Sequence, residues 1–452
     1  MSELIDLPLR AQAAALTRRE TSAKELMQTV LDRISRRDPK LHAVVHLDAR
    51  AMDEAQRWDD TPLEDRPTLA GLALGVKDIL DVAQAPTRCG SYAQDKLAQR
   101  DAAAVARLRR AGMTPLAKLA TYEYALTGPA WDQPNPPARN PWNTAHITGG
   151  SSSGSAAAVA GGLLRVALGT DTGGSIRAPA AYCGIVGLKP TLSSVPDAGC
   201  FPLSPALDVI GPLAACVEDA ALVMEALVPD SKAARALGQD IEGLRIGYAR
   251  DWFVADPACD PALLRAMDDA AATLSMLGAR IELIDLPDYQ PLEEAGSVIL
   301  QAEAWEVHRA ALADHWPRYG VDARRNLVTG AILSEAHVAA ARRAAARFGA
   351  QVTELLGTYA ALLAPTTLGP APRFADFEDG PVWTAMRTLP FNMSGHPALS
   401  VPCALSDAGL PLGLQLIGRH GDEATLCRIG HAYEQAGPNM LCPPITCPGA
   451  AV

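Results

Sequence analysis

Apolar positions along this chain switch repeatedly between two periods. Leu26, Val30 and Ile34 recur every four residues behind Ser22-Ala-Lys-Glu25, which has the form of a capping box. That spacing predicts an amphipathic helix from Ser22 to about Ser35, and a second helix is expected over 48–58. Leu72–Val76 is a short apolar run of strand length. Asp101 is placed to cap a helix over Ala102–Arg110, which Gly112 ends, and Pro115–Leu119 reads as the next strand. Residues 128–154 carry no period and are rich in Pro, Asn, Gly and Ser, which is loop chemistry. A helix of small residues, Ala156–Ala160, and a strand near Leu164–Leu168 follow. The second half alternates in the same way. Strands are expected at Leu244–Ala249, Arg280–Ile284, Ala361–Ala364, Ala398–Val401 and Leu414–Ile417, and helices at 261–277, 291–314, 334–356 and 422–435.

Strands alternating with helices predict an α/β fold, a sheet covered by helices on both faces. No short-period repeat or low-complexity linker divides the sequence, so 1–452 is expected to be a single domain. Within it, 1–65 reads as an N-terminal helical segment, 75–191 as the core that carries the chemistry, 217–240 as a surface excursion and 440–452 as a Pro-rich tail.

Composition narrows the function classes. The formal net charge is −11, and no Lys/Arg run exceeds two residues. Phosphate contacts supply most nucleic-acid affinity, so nucleic acid is not an expected partner. The N-terminus MSELIDLPLR lacks the apolar core of a signal peptide, and no uncharged apolar stretch approaches the roughly 18 residues of a spanning helix. A membrane is therefore not expected either. The nine Cys are scattered without C-x-x-C, which suits reduced thiols in a cytoplasmic protein rather than a disulfide scaffold or zinc site. The nine His show no H-E-x-x-H or other ligand spacing, so no metal and no cofactor are expected. His146 and His396 fall in loops that border a cleft or simply carry structural histidines.

Three segments carry candidate chemistry. In Gly169-Thr-Asp-Thr-Gly-Gly-Ser175-Ile-Arg177, three glycines surround a serine after a strand. Consecutive N–H groups on such a turn form a nest that holds an oxyanion beside a nucleophile, though an ordinary glycine-rich turn has the same composition. Gly149–Ser155 places hydroxyls on a backbone that Gly lets bend sharply, or is a plain flexible loop. Within it, Gly150-Ser-Ser152-Ser-Gly154 fits G-x-S-x-G, the elbow of α/β-hydrolases, which would make Ser152 a nucleophile working with a His. The elbow needs an apolar strand directly upstream, and Asn143–Thr148 is not one. Lys77 follows the apolar run 72–76. Buried, it would lose its proton readily and serve as a base; otherwise it is a surface lysine just past a strand.

Together these segments resemble the amidase-signature family. GGSSSGSAAAVAGGLLRVALGTDTGGSIRAPAAYCGIVGLKPT (149–191) is similar to the family signature almost end to end. GVKD (75–78) resembles its lysine segment and LPLGLQLIGRHGDEATL (410–426) its C-terminal strand and helix. The resemblance implies a single large mixed sheet and a serine acyl-enzyme. By position it assigns Lys77 as base, Ser151 as a relay serine held by a cis peptide, and Ser175 as nucleophile. The amides of Thr172, Gly173, Gly174 and Ser175 match the oxyanion hole, and Asp171 and Arg177 match bracing positions. Ser153 stands where many members carry Gly. Glutaminase subunits of tRNA-dependent amidotransferases carry Gln where this chain has Ala178. The expected activity is therefore hydrolysis of small-molecule amides, with anilides, carbamates and esters sharing the same intermediate. A glutaminase subunit is the alternative, and a third possibility, from another class, is a non-catalytic subunit of an assembly. Tyr124, Trp131, Trp383 and Arg177 are the candidate substrate-binding residues. The expected partners are a small-molecule amide and, at most, a second copy of the chain in a homodimer.

Overall fold

The computed structural model describes residues 3–380, 382–437 and 443–446. Most of the expected Pro-rich tail, 440–442 and 447–452, lies outside them.

Among the described residues thirteen strands occur in chain order: β1 (Val44–Leu47), β2 (Ala73–Lys77), β3 (Pro86–Thr87), β4 (Lys96–Leu97), β5 (Thr114–Leu119), β6 (Val166–Asp171) and β7 (Val186–Lys189). They continue with β8 (Val209–Ala214), β9 (Arg245–Tyr248), β10 (Arg280–Leu283), β11 (Ala361–Pro365), β12 (Ala398–Leu405) and β13 (Pro411–Ile417). Eleven form one sheet in the order β1-β5-β2-β6-β8-β7-β12-β13-β11-β9-β10, and β3 pairs only with β4. The sheet is mixed. β5, β2 and β6 run parallel to one another, as do β11, β9 and β10, while the central pairs from β6 to β11 are antiparallel.

The local rules explain the elements. Ser22 caps the helix Ala23–Leu41: its hydroxyl accepts from the Glu25 amide at 3.1 Å, and the Glu25 carboxylate accepts from the Ser22 amide at 2.9 Å. Leu26, Val30 and Ile34 form its buried stripe. Central strands such as β6, β8 and β13 are buried along their whole length, as strands covered on both faces must be. Helices Ser153–Ala160 and Arg177–Cys183 pack on the central strands and on each other, while Ala103–Arg110, Val217–Leu227, Pro261–Met276 and Glu423–Ala436 make a second mutually packed group. A third group, Tyr289–His315, Val321–Ala331 and Glu335–Thr358, packs together at one side.

Two expectations are corrected. Residues 217–240 are not a surface excursion. Val217, Ala220, Ala221, Val223, Met224 and Leu227 join the main apolar core, so the helix Val217–Leu227 is a covering layer of the sheet. Asp101 does not cap the helix Ala103–Arg110; its carboxylate accepts instead from the Ala83 amide at 2.8 Å and from Arg109 Nε at 2.8 Å.

Candidate active site

The site lies where parallel strands β2 and β6 end, the edge at which open α/β sheets hold their ligands. β2 approaches its neighbours closely at Gly75, where a Cβ would sit 2.5 Å from Leu119 Cδ1 and 2.8 Å from Leu164 Cδ1. This packing brings Lys77, the last residue of β2, fully inside the protein. Its Nζ donates to Ser151 Oγ at 2.7 Å and to Thr170 Oγ1 at 2.8 Å. Burial pulls the Lys77 ammonium down to about 7, against the opposing pull of Cys200, Asp208, Asp171 and Cys89.

The serine run divides its labour. The peptide Gly150–Ser151 is cis. Ser152 Oγ bonds the main chain of Thr170, donating to its carbonyl at 3.2 Å and accepting from its amide at 3.3 Å. Ser153 Oγ donates to the Ala120 carbonyl at 3.3 Å and Ser155 Oγ to the Leu168 carbonyl at 3.1 Å. Three hydroxyls thus fasten the loop and helix to the sheet, and Ser151 is the one that reaches Lys77. Ser152 is wholly buried with its hydroxyl engaged, which removes the elbow reading.

Beyond β6 the chain turns sharply through Thr172–Ser175. Gly174 has φ 133°, and a Cβ there would lie 2.3 Å from Thr388 Oγ1, so only glycine fits. Asp171 organises the turn. Its carboxylate accepts from the amides of Gly174 at 2.8 Å, Ile176 at 3.2 Å and Arg177 at 3.3 Å. The Gly174 amide is therefore engaged inside the turn and is not free for an oxyanion, which corrects one of the four expected donors. The amides of Thr172, Gly173 and Ser175 find no acceptor among the described residues.

Arg177 is also corrected. It is fully buried, pairs with both oxygens of Asp171 at 3.0 Å, and donates to Gln415 Oε1 at 3.0 Å and Asn392 Oδ1 at 2.6 Å. A guanidinium so occupied braces the turn and does not face a ligand. Burial alone would raise Asp171, but Arg177, Lys189 and Asn392 overcome it and hold the carboxyl down at about 2.

Ser151, the turn Thr172–Ser175 and Ala178 line a cleft of about 270 Å3. Its other walls include Tyr122, Tyr182, Leu203 and Met386, together with Leu300 and Asn326 from the long helices. Of the expected substrate-binding aromatics, Trp383 lines it, with its Nε1 donating to Glu293 Oε1 at 2.5 Å. Tyr124 does not: it is buried in a cluster with Phe201, His308 and Tyr319. Trp131 lies elsewhere on the surface against Phe374. His146 bonds the Ala371 carbonyl and His396 lies within 3.2 Å of Thr353 Oγ1; neither borders the cleft. Among the described residues no charged side chain lines the cleft, and no group of three His, Cys, Asp or Glu is arranged to hold a metal. Sequence reading missed Thr170, Asp208, Leu300 and Asn326. A hydroxyl near the end of an apolar strand was the available signal for Thr170; the helical residues gave none.

The mixed eleven-stranded sheet and the glycine turn beside a buried lysine define an amidase-signature hydrolase. The chain belongs to the amidase family, whose model matches residues 25–427. A glutamyl-tRNA(Gln) amidotransferase subunit from Exiguobacterium sibiricum is 36% identical, over 94% of this chain and 96% of that protein. Among solved structures, one reported as part of a vestigial complex bearing on the origins of an s-triazine catabolic enzyme superposes with TM-score 0.88 at 31% identity, covering 96% of this chain and 100% of that one. The peptide amidase of Stenotrophomonas maltophilia superposes with TM-score 0.85 at 30% identity, covering 96% and 98%. No helix of the described residues is long and apolar enough to cross a membrane, and no two described cysteines are joined.

Proposed function

We propose that this amidase-family hydrolase cleaves amide-type C–N bonds through an acyl-enzyme on Ser175. Neutral Lys77 takes a proton from Ser151, which takes one from Ser175. Ser175 Oγ attacks the carbonyl, and the oxyanion is held by the amides of Thr172, Gly173 and Ser175. The relay then returns a proton to the leaving amine, and water releases the acid. The observation that carries this reading is the contact of buried Lys77 with Ser151 Oγ at 2.7 Å, in the cleft that also holds Ser175. Ser175→Ala should abolish both turnover and covalent labelling by a serine-reactive fluorophosphonate, with the fold intact. Labelling that persists on another serine would overturn the assignment, and a wild type that never labels would favour the non-catalytic reading.

Two readings of the acyl donor stand. The relatives support the glutaminase subunit of a tRNA-dependent amidotransferase better, since an amidotransferase chain matches over nearly the full length of both proteins. In that case a different second subunit, rather than a homodimer, is the expected partner. The cleft supports a free-standing hydrolase of small neutral amides, anilides or carbamates. Its described lining offers no charge to the α-ammonium and α-carboxylate of glutamine. The likeness to a peptide amidase adds peptide amides to the substrates worth testing.

A further inference from the structure

Behind the turn lies a second cavity, of about 160 Å3, lined by Thr170, Thr172, Asp197, Cys200, Leu203 and Asp208 among others. Thr172 and Leu203 also line the catalytic cleft, so the two spaces share a wall. Asp208 stands just before β8 and projects into this region. Its Oδ1 accepts from Thr172 Oγ1 at 2.6 Å, and its Oδ2 accepts from the amides of Leu203 at 2.8 Å and Ser204 at 3.0 Å. One carboxylate therefore ties Thr172, the first residue of the oxyanion turn, to the segment of Leu203, which lines both spaces as well.

Asp171, the other carboxylate near the turn, is neutralised by its paired contact with Arg177. Asp208 has no cationic side chain in ion-pair contact among the described residues. The cation it does feel is Lys77, which bonds Thr170 Oγ1 on the same cavity wall. We propose that Asp208 is a positioning residue of this site: it holds Thr172, and with it the oxyanion turn, and supplies the counter-charge of Lys77. Burial raises the Asp208 carboxyl to about 6, while Thr172, the two amides and Lys77 oppose that rise. The titratable groups facing Lys77 are Cys200, Asp208, Asp171 and Cys89, and those facing Cys200 across the cavity include Asp197. With both thiols pushed up by burial and Asp171 paired to Arg177, Asp208 is, of these four groups acting on Lys77, the one that carries a negative charge outside an ion pair above about pH 6.

The sign follows. A negative Asp208 favours the ammonium form of Lys77, so removing that charge lets Lys77 lose its proton at lower pH. The inference rests on the serine–serine–lysine reading, and the experiment separates the two. The rate of Ser175 labelling by a fluorophosphonate is followed against pH in the full chain. In wild type it should rise through about 7. In Asp208→Asn the midpoint should move down by about one pH unit. Thr172→Val should slow labelling about tenfold with the midpoint nearly unmoved, and Thr172→Ser should restore the rate. A midpoint that stays put or moves up in Asp208→Asn overturns the inference alone. If Asp208→Asn does not fold, a Thr172→Val chain that labels as fast as Thr172→Ser overturns it. A wild type labelled at a residue other than Ser175 overturns the serine reading itself.

Discussion

Arg177, Lys77, Lys118 and Lys189 are among the largest fully buried side chains; burial pulls Lys189 down to about 7 as it does Lys77, but of the four it is Lys77 that bonds Ser151 on the cleft wall. Lys118 pairs with Asp78 at 2.7 Å and Lys189 donates to the Pro190 carbonyl at 3.0 Å. Lys77 hydrogen-bonds hydroxyls and has no carboxylate in direct contact among the described residues, so the charges near it, Asp208 among them, only partly offset burial. The proposed role of Lys77 as base requires it neutral, so kcat/KM should rise as pH passes through about 7 and level off above it. On the proposed relay, Lys77→Ala and Ser151→Ala should each cost several orders of magnitude in kcat, without adding, because both residues would serve one proton path. A rising limb that survives in Lys77→Ala would show that another group controls it. Arg177 belongs to stability. Arg177→Met leaves Asp171 buried and unpaired, and breaking such a pair costs about 3–5 kcal/mol. Urea unfolding should show that loss near neutral pH. Asp171 is held down at about 2, so its contribution is complete above its unfolded value of about 3.9 and is lost as pH falls through about 2. The difference between wild type and variant should shrink in acid. None of these distinctions is visible along the chain. Lys77 reads locally as a lysine past a strand, and its partners lie 74 and 93 residues away.

Elements were more legible than side-chain partners, because periodicity is a local property while partnership is not. The capping box at Ser22 and the strand before Lys77 follow from neighbouring residues, and both are present. The failures share one cause. Ala220, Ala221, Val223 and Met224 look unremarkable until the sheet they cover is assembled, and the Asp101 carboxylate is taken by the Ala83 amide, 18 residues away, and by Arg109 at the far end of the helix it was expected to cap. Tyr124 was expected in the cleft for its chemistry, but its ring stacks at 5.1 Å on Tyr319, from a segment no sequence pattern links to it. That segment leads to a further prediction. Glu123 accepts from the Gly320 amide at 2.9 Å, just before the helix Val321–Ala331 that carries Asn326 to the cleft. Burial raises the Glu123 carboxyl to about 7, above its unfolded value of about 4.3, with Ser91 and Gly320 opposing. The folded chain then holds this proton more tightly than the unfolded one. Its stabilising contribution is full below about pH 4 and is lost as pH climbs through about 7. Glu123→Gln keeps an acceptor oxygen and removes the titration. Between about pH 5 and 8 the wild-type Tm should therefore fall relative to the variant, and parallel Tm curves would show that Glu123 does not titrate in that window.

At the scale of the whole molecule, the net charge of −11 and the cleft, whose described lining carries no charged side chain, bear on the same question, which acyl group enters. Long-range repulsion disfavours anionic substrates, although salt screens it beyond about 10 Å. Short-range desolvation matters more. A free amino acid such as glutamine brings two charges, and moving an unpaired charge out of water costs several kcal/mol. Arg177 was the cation that sequence reading offered for a carboxylate, and it is fully occupied by Asp171, Gln415 and Asn392. A neutral anilide or aryl carbamate leaves no charge to compensate, and the apolar walls of Tyr122, Leu203, Leu300 and Met386 suit its ring. The purified chain without partners should therefore favour a neutral anilide, carbamate or peptide amide over glutamine by more than about tenfold in kcat/KM, a difference of about 1.4 kcal/mol or more. A dicarboxylic monoamide should fare as poorly as glutamine, and added salt should narrow the gap only slightly, because the penalty is local. If glutamine wins, the glutaminase reading favoured by the relatives is correct, and main-chain amides and carbonyls of the cleft must be what compensates its two charges. The roles proposed for Ser175, Ser151 and Lys77 are compatible with either result, since the tetrahedral intermediate is the same for every substrate in the comparison.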